Sequence, residues 1–387
     1  MQDLSAALQA LADAGLARRR RIVDSPCGTR AVVDGQTLIA FASNDYLGLA
    51  SHPEVAAAFA EGARQWGAGS GASHLVSGHL RPHQTLEEQL AALVGFPRAL
   101  TFSTGYLANL GVLPALAGRG ASIFADKLNH ASLIDAVQLC KANGAQARRY
   151  AHNDLAALER LLAAHPTGEK FIVTDAVFSM DGDLAPLAGL MALAERYDAW
   201  LMVDDAHGFG VLGTRGAGTL AHCGVSFQPR LILMGTLGKA AGVGGAFVAG
   251  SEEAIEFLIN RARSYIFTTA APPAMAVALG RSLQLIASGD ALRTRLNNHI
   301  RRLRAGLADL PWQLAESPTA IQPLIVGENQ RALQLAAALW ERGLWVPAIR
   351  PPAVPEGSAR LRISLSAAHS DADLDHLIAA LRELAAA

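Results

Sequence analysis

The chain has 387 residues, 51% hydrophobic and 17% charged, with a formal net charge of −1. That is room for two domains with a large core, and it gives no electrostatic reason to expect nucleic acid or an anionic membrane as partner. Cys27, Cys140 and Cys223 lie far apart without CxxC or metal-ligand spacing, which suits free thiols in a reducing compartment. No apolar run approaches the ~18 residues of a membrane span and the N-terminus has no signal-peptide core, so the expected compartment is the cytoplasm.

In chain order, Asp3 to Arg21 carries Leu4, Leu8 and Leu11 at helical spacing and ends in four arginines, Arg18 to Arg21. The basic run reads either as a solvated helix end favoured by the macrodipole or as a clamp for an acidic substrate group. Ala31 to Phe41 predicts a hairpin turning at Asp34-Gly35. Pro53 opens a helix to about Trp66, and Pro82 opens another through Leu86, Leu90 and Leu93. Apolar runs then recur at Ala99–Phe102, Ser122–Ala125, Phe171–Thr174, Trp200–Val203 and Leu231–Met234, mostly separated by helical stretches. That alternation predicts an α/β domain with a mostly parallel sheet. Beyond Pro272-Pro273 come helices at Ala274–Ala287 and Ala291–Leu307, strands at Ile321–Val326 and Leu361–Leu365, and a helix from Gln330 to Arg342: a smaller α+β unit. The expected division is an N-terminal segment 1–44, a large domain 45–271 and a small domain 272–387.

Ligands of open α/β sheets sit at the carboxyl ends of strands, so the residues after each apolar run are the informative ones. Lys239 follows Leu231–Met234 among Gly238, Ala240, Ala241, Gly242, Gly244 and Gly245. Burial disfavours an ammonium, and a neutral amine is what attacks a carbonyl to form a Schiff base; taken alone, the window reads more readily as a solvated loop lysine before a glycine-rich turn. Bare glycines let a bulky cofactor approach the backbone. A phosphate-binding P-loop does not fit, because Leu233 and Ala240 occupy its required glycine and Ser/Thr positions. Asp204, Asp205 and His207 follow Trp200–Val203. A carboxylate there reads as a helix cap or a metal ligand, and with the imidazole it also suits a pyridine cofactor, the first keeping the ring nitrogen protonated and the second bonding its phenolic oxygen. No second His/Asp cluster has clear ligand spacing, so no metal is expected. Ser103-Thr104-Gly105-Tyr106 enters a helix whose N-terminal amides suit a phosphate or simply start the helix. His130 suits stacking on a flat ring or pairing in the core. Ser179 and Asp181-Gly182 read as a turn. Gly67 to Gly71 imitates a dinucleotide fingerprint but follows a helix and is set aside.

Five stretches carry a family resemblance: SNDYLGL (Ser43–Leu49), LNHASLIDA (Leu128–Ala136), VFSMDGDLAPL (Val177–Leu187), VDDAHGFGVLG (Val203–Gly213) and GTLGKA (Gly235–Ala240). Together they resemble the α-oxoamine synthases, pyridoxal 5'-phosphate (PLP) enzymes of the class-II aminotransferase superfamily with the aspartate-aminotransferase fold, fold type I. The resemblance implies a large PLP-binding domain with a mostly parallel sheet and a smaller C-terminal α+β domain. It also implies that Lys239 bonds the cofactor and takes the α-proton, Asp204 pairs with the ring nitrogen, His207 and Ser179 flank the ring oxygen, and His130 stacks on the ring. Gly105 and Tyr106 position the cofactor and Thr236 binds its phosphate, with Thr268 and Thr269 serving a partner subunit's phosphate in a homodimer. Arg362 grips the amino-acid carboxylate.

The C-terminal stretches Ala320–Ala336 and Val346–His369, with the early arginines, resemble the biotin-pathway branch, which joins L-alanine to a pimeloyl thioester of CoA or acyl carrier protein. Arg18 then meets the far carboxylate of the pimeloyl chain. Ala353 departs from that branch's usual threonine beside the substrate, so a hydrogen bond is missing there. Two alternatives are a 2-amino-3-ketobutyrate ligase, using glycine and acetyl-CoA, and a non-catalytic scaffold of the same fold. Loss of the lysine is the expected mark of the latter, and Lys239 is present.

Overall fold

The computed structural model describes residues 3–13, 16–17 and 20–386. It divides into two compact units: 49–178 with 184–293, and 1–48 with 179–183 and 294–387.

In the second unit, α1 (Leu4–Asp13) buries none of its side chains. Arg20 and Arg21 lie outside any helix, so the predicted helix does not reach the basic run. Strands β1 (Arg30–Val33) and β2 (Gln36–Ala40) form the expected hairpin, with Asp34 and Gly35 both at positive φ as a tight two-residue turn requires. Leu344–Trp345 extends this sheet parallel to β2. A four-stranded antiparallel sheet runs in the order Gln313–Leu314, Ile321–Gly327, Ala359–Ser364, Ala348–Ile349.

The larger unit begins with α2 (Pro53–Trp66) and α3 (Arg81–Val94), each with proline in its first turn where a missing N–H is harmless. It is built on a seven-stranded sheet comprising β3 (Arg98–Phe102), β4 (Ser122–Asp126), β5 (Gln146–Tyr150), β6 (Lys170–Asp175), β7 (Ala199–Asp204), β8 (Leu231–Thr236) and β9 (Ala246–Gly250), in the order β3-β9-β8-β7-β6-β4-β5. The strands β5, β4, β6, β7 and β8 pair in parallel, and β9 is antiparallel to both β8 and β3. Every residue of β4, β6 and β9 is buried, which is why these strands read as continuous apolar runs and not as alternation. Helices α4 (Gly105–Leu116) and α5 (Ala131–Ala142) seal one part of the core through Val112, Leu113, Leu133 and Val137, against Ile123 and Val248.

Four features depart from the predicted outline. Strand β5 has an exposed, arginine-bearing pattern because it is the sheet edge, and β9 is hidden behind a glycine-rich turn. The helix Pro273–Ala287 belongs to the larger unit, where the expected boundary had put it in the small domain. A Cβ at Gly62 of α2 would stand 2.9 Å from the Ala274 Cα, so the two helices meet backbone to backbone. The short segment 179–183 groups with the C-terminal part although both its flanks lie in the larger unit.

Candidate active site

Register sets the site. Asp175 and Asp204 are paired positions on β6 and β7, and Asp204 is paired with Met234 on β8. Three parallel strands therefore deliver Asp175, Asp204 and Gly235-Thr236 to one edge of the sheet, the carboxyl edge where such folds bind ligands.

Lys239 lies just beyond β8 in the turn that returns the chain to β9. The turn closes through Leu237 N to Gly245 O (2.9 Å) and Gly242 N to Lys239 O (2.8 Å). Gly242 has φ +71°, and a Cβ there would come within 2.5 Å of the Leu49–Ala50 backbone. Its glycine is required by the turn, not by a cofactor. Gly105 and Gly238 answer the sequence argument better: a Cβ at either would lie 4.0 and 3.9 Å from Thr236 Oγ1, so bare backbone flanks that hydroxyl. Thr236 Oγ1 donates to Gly245 O (3.2 Å). The half-buried Lys239 holds its Nζ 2.9 Å from His207 Nε2.

Asp204 is 4% exposed. Its Oδ1 accepts from Ala206 N (3.0 Å) and its Oδ2 from Asn109 Nδ2 (2.7 Å). Asn109 also donates to Ser132 Oγ (2.9 Å), which lies 2.8 Å from His130 Nδ1. His130 is the N-cap of α5, and its backbone N–H donates to Asp175 Oδ2 (2.8 Å). Desolvation holds its imidazole below the usual value although part of the ring is open, with Asp204 opposing and Lys239 reinforcing. Burial pushes the Asp175 carboxyl well up, and the neighbouring Asp204 charge adds to it. Asp205 is fully enclosed and pushed up to about 7, chiefly by burial, with its hydrogen bonds to Thr219 opposing.

The remaining predicted residues fall as follows. Thr104 caps α4 by accepting from Leu107 N (3.1 Å), placing Gly105 in its first turn. Tyr106 is partly exposed and its hydroxyl donates to Asp135 Oδ2. Thr268 and Thr269 line a cavity with His74, Ser264, Tyr265 and Met275. In the other unit, the Ser179 carbonyl accepts from Arg362 Nε (2.7 Å), while Arg362 Nη1 donates to Ser364 Oγ (2.7 Å) and to Asn44 Oδ1 (3.3 Å). Arg362 is 6% exposed and has no carboxylate partner among the described residues. Ala353 lines a groove with Leu16, Ala17 and Arg350. Arg18 lies outside the described residues.

Asn109, Ser132 and Asp175 escaped the sequence argument. Asp175 carried the signal already in use, a carboxylate ending an apolar run. Asn109 is a lone amide in the apolar helix GYLANLGVLPAL, which by itself marks nothing.

One group among the described residues has the proximity of a metal centre: His74, His79 and His83, with ligand atoms within 4.8 Å of one another. Both nitrogens of His83 are already committed, Nδ1 accepting from Leu80 N (3.0 Å) and Nε2 donating to Ala271 O (2.8 Å). No lone pair remains for an ion. The group reads as a cap on α3.

The chain matches the model of the family aminotransferase class I and II over residues 36–381. It belongs to that family and has the PLP-dependent transferase fold type I. It is 68% identical over 382 residues to the 8-amino-7-oxononanoate synthase of Dechloromonas aromatica (strain RCB), covering 99% of each chain. It is 62% identical over 385 residues to that of Herminiimonas arsenicoxydans, covering 98% of each. Within the family it therefore falls among the 8-amino-7-oxononanoate synthases. Among solved structures, serine palmitoyltransferase from S. paucimobilis with bound PLP and myriocin superposes with TM-score 0.92 at 30% identity, over 98% of this chain and 96% of that one. The 8-amino-7-oxononanoate synthase from Francisella tularensis matches with TM-score 0.77 at 32% identity, over 90% and 98%. The cofactor is PLP. The residues present fit it: an amine on a tight turn, a buried carboxylate held by two donors, and a hydroxyl between two bare backbone surfaces.

Proposed function

We propose that this chain condenses L-alanine with a pimeloyl thioester, releasing CO2 and free thiol and giving 8-amino-7-oxononanoate in biotin biosynthesis. The observation that carries the reading is the placement of Lys239, His207, Asp204 and His130 beyond the carboxyl ends of the parallel strands β8, β7 and β4, linked by the Lys239–His207 contact and by the Asp204–Asn109–Ser132–His130 hydrogen bonds. When bound, PLP supplies a carbonyl that takes up an amine and a protonated ring that withdraws electrons from the α-carbon.

The chain's own residues do the rest. Lys239 Nζ would hold the cofactor's carbonyl carbon and, as a free amine, would take the substrate α-proton; His207 Nε2, 2.9 Å from that nitrogen, is placed to share a hydrogen bond with it. Asp204 keeps the ring nitrogen protonated, and burial strengthens that pairing. His130 offers its ring face for stacking. His207 and Ser179 serve the ring oxygen. Gly105 and Tyr106 would position the cofactor and Thr236 would bind its phosphate. Arg362 receives the alanine carboxylate, a role suited to a buried guanidinium with no carboxylate partner among the described residues. Arg18 meets the far carboxylate of the pimeloyl chain.

The active unit in this proposal is a homodimer in which Thr268 and Thr269 serve the partner's phosphate. Its compartment is the cytoplasm, where the free thiols Cys27, Cys140 and Cys223 are kept reduced. No helix of the described residues is long and apolar enough to cross a membrane.

The test is a panel of amino acids and acyl thioesters assayed for CO2 and thiol release. Alanine with pimeloyl-CoA or pimeloyl carrier protein is expected to lead. Preference for glycine with acetyl-CoA would overturn the assignment in favour of a 2-amino-3-ketobutyrate ligase.

A further inference from the structure

We propose that Asn109 is a positioning residue that ties the Asp204 carboxylate to the His130 imidazole and, through Ser132, decides which ring nitrogen of His130 carries the proton. The inference rests on the reading of Asp204 and His130 as cofactor contacts.

The orientation of Asn109 follows from its partners. A carboxylate only accepts, so the atom facing Asp204 Oδ2 must be the amide nitrogen, as its 2.7 Å distance indicates. The same nitrogen donates its second hydrogen to Ser132 Oγ. Asn109 is fully buried, and its Oδ1 has no hydrogen-bond partner among the described residues. A buried acceptor without a donor calls for a reason. Here the reason is that flipping the amide would set oxygen against the Asp204 carboxylate and lose both donations.

Direction then propagates. The Ser132 hydroxyl accepts from Asn109, so its own hydrogen is free to donate, and His130 Nδ1 lies 2.8 Å away. Ser132 N also donates to Nδ1 (3.3 Å) because His130 caps α5. A nitrogen receiving two donors cannot itself carry hydrogen, so the neutral ring bears its proton on Nε2. The charged groups around His130 come from four elements: Asp204 on β7, Asp175 on β6, Asp135 on α5 and Lys239 beyond β8. They tune how readily the ring takes a second proton, while the relay sets where the first one sits. Both Asp204 oxygens are meanwhile pinned, by Asn109 and by Ala206 N.

The experiment uses the holoenzyme and three variants, Asn109→Ala, Ser132→Ala and Ser132→Thr. PLP dissociation is measured by equilibrium dialysis, the pH profile of kcat/KM by steady-state kinetics, and the His130 tautomer by nitrogen-15 NMR. Asn109→Ala should weaken PLP by about ten- to a hundred-fold, the loss expected for one charge-assisted hydrogen bond. Ser132→Ala should keep PLP affinity within about two-fold, since Asn109 still holds Asp204. It should also move the acid limb of the profile up by about one pH unit, because Nδ1 becomes easier to protonate. Ser132→Thr, which restores the hydroxyl, should restore the limb. A merely structural serine would not shift the limb selectively. Wild-type PLP affinity in Asn109→Ala, an unmoved limb in Ser132→Ala, or hydrogen on Nδ1 in the native protein would each overturn the proposal. Should Asn109→Ala not fold, the two serine variants and the NMR decide alone. A native protein that releases no CO2 from alanine and pimeloyl thioester would instead sink the functional reading.

Discussion

Asp205 offers a direct measurement of what the loop carrying His207 costs. Its carboxylate accepts from Thr219 N (2.7 Å) and Thr219 Oγ1 (2.5 Å), clasping the loop that runs from His207 to Thr219. Gly208 and Gly218 leave it no slack: a Cβ at either would stand 2.2 Å from a carboxylate oxygen. With the folded value near 7 and the ordinary value 3.8, the folded protein holds a proton that the unfolded chain has released. Stability from this group is therefore present below the ordinary carboxylate range and is lost as pH rises towards 7 and beyond. Between pH 5 and pH 8 the linked loss is roughly 2–3 kcal/mol. Asp205→Asn removes the titration while an amide still accepts from the Thr219 N–H and donates to its hydroxyl.

The variant should thus gain on the native protein by about 2–3 kcal/mol between pH 5 and pH 8. Urea unfolding of both at saturating PLP, at one-unit pH steps, reads this difference directly. The depressed histidines His74 and His369, whose contribution is lost as pH falls from the ordinary imidazole value towards about 4, have the opposite sign. They are common to both proteins and cancel. A difference, variant minus native, that stays flat across the range or falls as pH rises would refute the argument.

Lys239→Ala should lose borohydride trapping of the cofactor and at least about 10²–10⁴-fold in turnover, the usual contribution of a general base, while retaining PLP by its other contacts; near-normal rates would end the assignment. Asp204→Asn, at saturating PLP, should still be trapped with the cofactor by borohydride but exchange the alanine α-deuterium far more slowly, because a neutral amide cannot hold the ring nitrogen protonated; exchange at the native rate would contradict that role. Sedimentation should find activity only in the dimer, and a fully active monomer would remove the role given to Thr268 and Thr269. Arg18→Ala should raise KM for the pimeloyl thioester by about ten- to a hundred-fold and leave a methyl-ended acyl donor nearly unaffected, whereas equal losses with both donors would make Arg18 structural.

Local chemistry made much of this protein legible without coordinates. The helices α2 and α3 start where proline and their apolar periodicity place them, and the buried strands β4, β6, β7 and β8 stand out because a strand covered on both faces has to be apolar throughout. Lys239, Asp204 and His130 were visible because each ends such a run, and strand ends are where this architecture exposes polar groups. What tertiary structure decided is which of those groups touch and through what. Asn109 is 95 positions from Asp204 and 23 from Ser132, and no periodicity links residues on separate elements whose side chains meet only after the sheet has assembled. The edge strand β5 escaped for a related reason, since half its surface faces water and its arginines carry no apolar signal. The helix Pro273–Ala287 was assigned by its proline break to the small domain, but its apolar face packs on α2 across a glycine contact. A chain break marks where an element begins, and only packing determines which core it joins.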